Sequence, residues 1–337
     1  MSSDNNEKLQ SFLQDNKSLN EVVKALSYEE FNFDKLLKER YDEYQGRLTG
    51  RSEKIFLRVE NTPFNHLVAE VQNNPDCSYV SYANKVIKDG VIPEKFSVLI
   101  KNEKHVSPDA RDLISYSVSE VIASRVLNFY NCPTVYNVAA TTEEDGEIQR
   151  KLISVDCISE NEEFLTIVDL GLDPWSRGLE NIVFKLSEML EPYSRDDKTK
   201  QKVIDDYILS YFVRKFILVD SDFDNRNVGV VINRKDKHIK LVNFDLEFSC
   251  VFAASNEYKD YVIQDILGYL KSTSPRIYEK FVEKTKQIVK YMSTNTNNIE
   301  IKNSAHQNAV KLIINNCKYI LEQVAIIEKT NLSEMMK

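Results

Sequence analysis

Glycine is scarce in this chain: eight residues in 337, roughly a third of the ~7% of average usage. No G-x-G-x-x-G run occurs, so a glycine-lined phosphate cradle of that pattern is absent. Histidine is scarcer still, at His66, His105, His238 and His306, with no partner at helical spacing. That leaves little material for a His-ligated metal or a Ser-His-Asp triad. The cysteines, Cys77, Cys132, Cys157, Cys250 and Cys317, are odd in number and lack C-x-x-C spacing, which indicates neither a disulfide framework nor a zinc site. No run approaches the ~18 apolar residues of a membrane span, and the polar, acidic start does not read as a secretory leader. A reducing cytoplasm is the expected compartment.

Positive charge is also in deficit. Lys and Arg number 44 against 52 Asp and Glu, for a net charge of -8 and a pI near 5.3. Broad binding to nucleic acid or to an anionic membrane is not expected, because phosphate affinity needs Lys and Arg to neutralise charge. What is abundant is aromatic: 17 Tyr and 16 Phe, within 42% hydrophobic residues, mark a folded chain rather than a disordered one. At ~150 residues per domain the length fits about two domains or one bilobed unit.

Along the chain, residues 7–73 read as helices with polar joints, including 28–44, where Phe31, Leu36, Leu37 and Tyr41 recur at loosely helical spacing. Strand texture follows over 78–106, culminating in Phe96-Ser97-Val98-Leu99-Ile100-Lys101. Ser107-Pro108-Asp109 has the cap, first-turn proline and early acid of a helix start, and that helix runs to about Tyr130. Strands at 134–140 and 150–159 flank an acidic turn at Glu143 to Glu147. Helices then dominate, at 179–190, 202–218 and 304–329, interrupted by a strand island at 228–248. The expected fold class is α+β: a helical N-terminal extension (1–75), a small mixed α/β piece (76–160) and a mainly helical piece (161–337).

The stretch Asp220-Ser221-Asp222-Phe223-Asp224-Asn225-Arg226-Asn227 concentrates acids and amides directly after an amphipathic helix. Beyond it, apolar runs at 228–233 and 239–244 flank a charged tip, Arg234 to His238, as a hairpin would. A turn centred between Asp236 and Lys237 places Val228 opposite Asp245 and Asn227 opposite Leu246, so Asn227 and Asp245 meet at the open end. Oxygen ligands there, beside Asp222, suit Mg²⁺, which takes few protein oxygens together with water and substrate phosphates. The five-residue interval from Asp222 to Asn227, with a further Asp on a following hairpin, also matches the kinase template for phosphoryl transfer.

That template requires a strand Lys for the phosphates and a helix Glu to orient it. Lys101 ends one face of the strand 96–101, with Ser97 and Leu99. On the following helix Glu120 falls in the middle of an apolar arc containing Leu113, Tyr116, Ala123 and Leu127. A carboxylate buried there without a cation would be costly, and Lys101 is the expected partner.

These blocks, with Ser117-Val118-Ser119-Glu120-Val121-Ile122-Ala123 and Val242-Asn243-Phe244-Asp245, resemble the HipA/CtkA-type atypical Ser/Thr kinases over about 96–252. The resemblance implies a bilobed protein-kinase-like fold, ATP and Mg²⁺ as cofactors, and a protein Ser/Thr acceptor, with autophosphorylation an allowed outcome. By position, Asp222 resembles the base that orients the acceptor hydroxyl, Asn227 and Asp245 the Mg²⁺ ligands, and Lys101 and Glu120 the ion pair at the nucleotide phosphates. The chain departs from the family where Phe223-Asp224 replaces an Arg-His pair, and in having no glycine loop. Residues 78–85, small and polar in places, are the candidate for covering the phosphates.

Other readings stay open at this level. A nucleotide-binding pseudokinase or interaction scaffold fits the altered loop, and a phosphoinositide or small-molecule kinase fits the Asp222 to Asn227 interval. Asp220, Asp222 and Asp224 match the first positions of a calcium loop, but Asn225 stands where that loop needs Gly and Val231 where it needs Glu. A structural reading makes the acids and amides turn formers before a hairpin. Lys104 rivals Lys101, and Trp175 reads as a loop anchor.

Overall fold

The structure, a computed structural model, describes residues 22, 26, 30–40, 54–103, 115–144, 146–174, 176, 178–295 and 304–335. The helix start at 107–109, Lys104, His105, Trp175 and most of 1–29 lie outside them.

Six strands form the first sheet: β1 (Glu30–Asn32), β2 (Lys38–Arg40), β3 (Lys54–Glu60), β4 (Lys95–Asn102), β5 (Asn137–Glu144) and β6 (Glu147–Val155). Their spatial order is β1-β5-β6-β4-β3-β2, with only the β1–β5 pair parallel. The helical reading of 28–44 is therefore corrected. Asn32 accepts hydrogen bonds from the Asp34 and Lys35 amides and turns the chain after β1, and Lys38 to Arg40 then pairs with Val59 to Leu57. Sheet pairing to a distant strand outweighs a loose local spacing. With β3 beside β4, the strands of the α/β piece begin before residue 76. The strand reading of 78–106 holds for β4; residues Asn84–Lys88 form a short helix, α2, instead.

The sheet's two faces do different work. Phe96, Val98 and Ile100 of β4 are buried against Val59, Ile153, Val155 and helix α1 (Asn65–Asn73). The opposite row, Ser97, Leu99 and Lys101, turns away from that core, as strand alternation requires. Helix α3 (Tyr116–Phe129) covers this second side through Val121, which packs with Ala139 and Leu152. From Ser117 to Phe129 every residue of α3 is buried, because its other faces enter a second core.

That second core gathers α4 (Leu179–Leu190), α5 (Asp197–Phe212) and a single π turn (Val213–Ile217); the short α6 (Ala254–Glu257) adjoins it, its Ala254 amide donating to Asn316, and α7 (Asp260–Thr273), α8 (Pro275–Asn295) and α9 (Ser304–Met335) complete it. A small antiparallel sheet joins it: β7 (Glu163–Thr166), β8 (Val228–Asn233) and β9 (His238–Asn243), in the order β7-β8-β9. No helix of the described residues is long and apolar enough to cross a membrane.

The β8–β9 hairpin differs in register from the sequence expectation. Val228 faces Asn243 and Asn233 faces His238, so the tip is Arg234 to Lys237, with the Asn233 carboxamide accepting the Asp236 amide and Lys237 at φ 48°. The slip is two residues, and a period-two strand keeps the same faces under an even shift. Gly229, in β8, marks a close approach: a Cβ there would sit 2.5 Å from the Phe164 ring and 2.8 Å from the Leu165 carbonyl. Gly229→Ala is expected to cost about 1–3 kcal/mol through overpacking. Urea unfolding would measure it, and a midpoint unchanged from wild type would contradict the tight β7–β8 contact.

Candidate active site

Three segments meet around the end of β4, and the loop 220–227 adjoins the third of them. Lys101 is the first. Its Nζ donates to Glu120 Oε1 at 3.2 Å and to Asp245 Oδ1 at 2.6 Å, so residues far apart in sequence converge on one ammonium. Glu120 is 3% exposed on α3, whereas the Asp245 side chain is 38% exposed. Burial opposes the charge on Lys101, but the Glu120 and Asp245 carboxylates outweigh it and hold its pKa above the ordinary lysine value. Burial pushes the Glu120 carboxyl up to about 7; Lys101 pulls it down, while Asp245 and Glu247 add to burial. Lys101 is thus a cation between acids, and Glu120 is a deep acid sharing its cation with Asp245.

Glu103 sets where α3 begins. Its Oε1 accepts from Ser115 Oγ at 2.6 Å and the Tyr116 amide at 2.9 Å, and Oε2 accepts from Ser117 Oγ. An acid at the positive end of a helix is favourable, and this one ties the helix bearing Glu120 to the strand bearing Lys101.

The catalytic-loop candidate follows α5 and its π turn. Val219 takes φ 46°, a conformation costly for a β-branched residue, and the chain folds back so that Asp220 meets Arg214. Both side chains are 0% exposed. Arg214 Nε and Nη2 donate to Asp220 Oδ2 at 2.8 and 2.6 Å. Asp220 Oδ1 in turn accepts the Asp222 amide at 3.2 Å. Asp222 is exposed, and its carboxyl is raised by burial of its immediate surroundings and by the negative charges of Asp224, Asp220 and Asp245, against a lowering contact from Asn227.

Asn227 is buried and donates Nδ2 to the Asp222 carbonyl at 2.8 Å and to Asp222 Oδ2 at 3.4 Å. Its amide oxygen thereby remains the acceptor end. Asn225 is held by Tyr207 OH (3.1 Å) and by donating to the Asp173 carbonyl (3.0 Å), and Asp224 folds back on Arg226. Asp220, Asp224, Asn225 and Asn227 are each held by these contacts, which leaves the Asp222 carboxylate as the loop's exposed acid.

Asp245 follows β9 at φ 55°, in the left-handed region that Asp tolerates better than most residues. Arg214 reaches it as well: Nη1 donates to the Asn227 carbonyl (2.8 Å) and to Asn243 Oδ1 (3.4 Å), and Nη2 to the Asp245 carbonyl (3.5 Å). Beyond Asp245 the segment is clamped to α3 by Ser119 Oγ, which donates to the Ser249 carbonyl, and by the Tyr116–Phe248 ring contact at 5.2 Å.

Of the residues singled out from sequence, Lys101, Glu120 and Asp245 are in direct contact, and Asp222 touches Asn227. Asn227 and Asp245 both lie at the open end of the hairpin, joined through Arg214. Segment 78–85 sits elsewhere: Tyr82 OH accepts the Ser97 amide and Tyr82 N donates to the Asp156 carbonyl. That contact is at the Ser97 end of β4, four residues or about 13 Å along the strand from Lys101. At Lys101 itself the opposite residue is Lys54 of β3.

The sequence reading missed Arg214, Glu103 and Glu247, and singled out Asp220 without its buried pairing to Arg214. Glu247 brings one carboxylate oxygen within 4.8 Å of those of Glu120 and Asp245. A signal for Arg214 did exist: it stands in the apolar run Phe212-Val213-Arg214-Lys215-Phe216-Ile217-Leu218, where a buried cation needs a nearby acid.

The donor set suits a hard divalent cation. Asp245 carboxylate and Asn227 amide oxygens are oxygen ligands of the kind Mg²⁺ takes, few in number and next to a lysine able to bind phosphate.

No protein-family model and no curated protein matches the sequence. Solved structures similar to the chain include the Helicobacter pylori proinflammatory kinase CtkA, at TM-score 0.42 and 12% identity, covering 73% of this chain and 94% of that chain. They also include the Shewanella oneidensis MR-1 toxin–antitoxin complex of HipA, HipB and operator DNA, at TM-score 0.45 and 10% identity, covering 71% of this chain and 64% of that one. Kinase-like structures are therefore among its structural neighbours.

Proposed function

We propose that the protein is a bilobed, kinase-like phosphotransferase that moves the terminal phosphoryl group of ATP to a protein Ser or Thr hydroxyl. The observation that carries this reading is the convergence of Lys101, Glu120 and Asp245 from β4, α3 and the end of β9. A lysine held by a buried acid on one side and by a half-exposed acid on the other is placed to receive phosphate oxygens. In phosphoryl transfer the protein contributes mainly positioning and electrostatics.

In this reading Lys101 binds the α and β phosphates, and Glu120 keeps its ammonium from swinging away. Asn227 and Asp245 would hold Mg²⁺, which when bound would neutralise charge on the phosphate oxygens. Asp222, exposed and with a raised carboxyl pKa, accepts a hydrogen bond from the acceptor hydroxyl and aligns it. Phe223 packs under the Arg214 guanidinium, 4.4 Å from carbon to ring centroid, so the departure from Arg-His is used for packing the loop.

Purified protein given labelled ATP and Mg²⁺ is expected to transfer phosphate to itself or to a generic basic protein. Asp222→Ala, which removes an exposed side chain, is expected to lower the rate by about 10²–10⁴-fold, the usual range for a positioned acid or base, with melting unchanged. Nucleotide binding without transfer in wild type would point to a scaffold, and label appearing only in lipid or a small molecule would redirect the acceptor class. Equal background from wild type and variant would end the enzyme reading.

A further inference from the structure

We infer that Arg214 is the positioning residue of this site, setting the places of Asn227 and Asp245 through its own hydrogen bonds rather than only stabilising the fold. The inference rests on the phosphotransferase reading for its functional consequence, and on contacts alone for its geometry. Arg214 is fully buried and reaches the segments that carry the candidate groups: Asp220, whose other oxygen holds the Asp222 amide; the Asn227 carbonyl; Asn243; and the Asp245 carbonyl. Neither Asn227 nor Asp245 is tied to its place by side chain alone. The loop and the hairpin end approach the same guanidinium from different directions, and Phe223 closes its face.

The chemistry requires arginine. A guanidinium offers a planar fork of five donors, so one side chain can address several separate acceptors in fixed directions. An ammonium offers donors from a single atom and cannot span Asp220, Asn227 and Asp245 together. Stability by itself does not account for the pair, since burying two charges costs desolvation and apolar replacements of similar volume are often neutral or better. The local backbone also departs from regular helix here: the π turn Val213–Ile217 carries Arg214, and Val219 takes a left-handed conformation to bring Asp220 back to it. Such departures recur at functional sites.

The test separates geometry from stability. Arg214→Met combined with Asp220→Leu removes both charges together, and Arg214→Lys keeps the charge but loses the fork. Hydrogen exchange is followed at the Asn227 and Phe244 amides, which bond to the Asp224 and Asn227 carbonyls and to neither altered side chain. Binding of a non-hydrolysable ATP analogue is measured with and without Mg²⁺. The double variant is expected to melt within a few degrees of wild type, while both amides exchange at least tenfold faster and the Mg²⁺-dependent part of binding weakens at least tenfold. Arg214→Lys is expected to show the same two losses, and it carries the test if the double variant does not fold. Wild-type exchange in a folded variant overturns the inference. If wild-type protein itself shows no Mg²⁺-dependent binding, the phosphotransferase reading falls, and the exchange rates alone decide whether Arg214 positions these segments.

Discussion

Asp245→Ala is expected to reduce Mg²⁺-dependent phosphoryl transfer by on the order of 10³-fold or more, equivalent to about 4 kcal/mol of transition-state stabilisation. Asp245 has two connected tasks. Its carboxylate contacts Lys101 at 2.6 Å, and the same group is the carboxylate ligand of the proposed cation site. In the proposed reading the Lys101 ammonium would be shared between Asp245 and the phosphate oxygens, and the Asp245 carboxylate would supply an oxygen to the cation. Removing it would leave Asn227 as a neutral oxygen donor and take the negative charge away from the proposed cation site. Because the side chain is 38% exposed, truncation leaves no deep cavity, and melting should hold. Transfer rates with Mg²⁺ and with Mn²⁺, alongside a melting curve, distinguish the outcomes. An active, stable Asp245→Ala protein would remove Asp245 from the mechanism.

Lys101→Met is expected to lower stability as well as activity, and in a pH-dependent way. Glu120 is 3% exposed and its ordinary carboxyl value of 4.5 is raised to about 7 in the folded protein. A carboxyl whose folded pKa exceeds its unfolded one favours the fold at low pH, and that contribution is lost as pH climbs from about 4.5 to about 7. Across that window wild type loses roughly 3 kcal/mol from this group, at ~1.36 kcal/mol per pH unit. Without Lys101 the folded pKa rises further, so the loss continues above pH 7. Lys101→Met should be near wild type at pH 5 and about 1 kcal/mol less stable at pH 8, because wild type stops losing stability near pH 7 while the variant goes on losing ~1.36 kcal/mol per pH unit. Lys101→Met combined with Glu120→Gln should recover most of that deficit at pH 8. Denaturant unfolding at both pH values measures it, and a deficit equal at pH 5 and pH 8 would show that Glu120 does not depend on Lys101.

The meeting of Lys101 and Glu120 is legible in the sequence because each depends on local periodicity alone. Alternation along 96–101 sets the face of Lys101, and the 100° step along α3 puts Glu120 among apolar neighbours, so a buried acid and a strand-end base require each other. The hairpin at 228–243 is legible for the same reason, as apolar runs about a charged tip. Its register is not, since the Asn233 side chain and the left-handed Lys237 decide where the turn closes, and neither follows from hydrophobic pattern. Residues 28–44 mislead because Lys38 to Arg40 become strand only by pairing with β3, a contact across the chain that no short window contains. Arg214 is missed for a different cause. Its partners include carbonyls of residues 227 and 245, and a backbone acceptor carries no residue type to read.

The burial of α3 on all sides has a consequence for anyone dividing the molecule. Its Val121 closes against the large sheet, while Val118, Ile122, Val126 and Leu127 belong to the helical core, and Tyr130 at its end meets Thr285 of α8. An excised N-terminal fragment ending after β6 would present that apolar flank to water, and the remaining fragment would be left with a trough where the helix had lain. The halves are partners in one folding unit, and expressing them separately should yield aggregation-prone pieces that regain order when mixed.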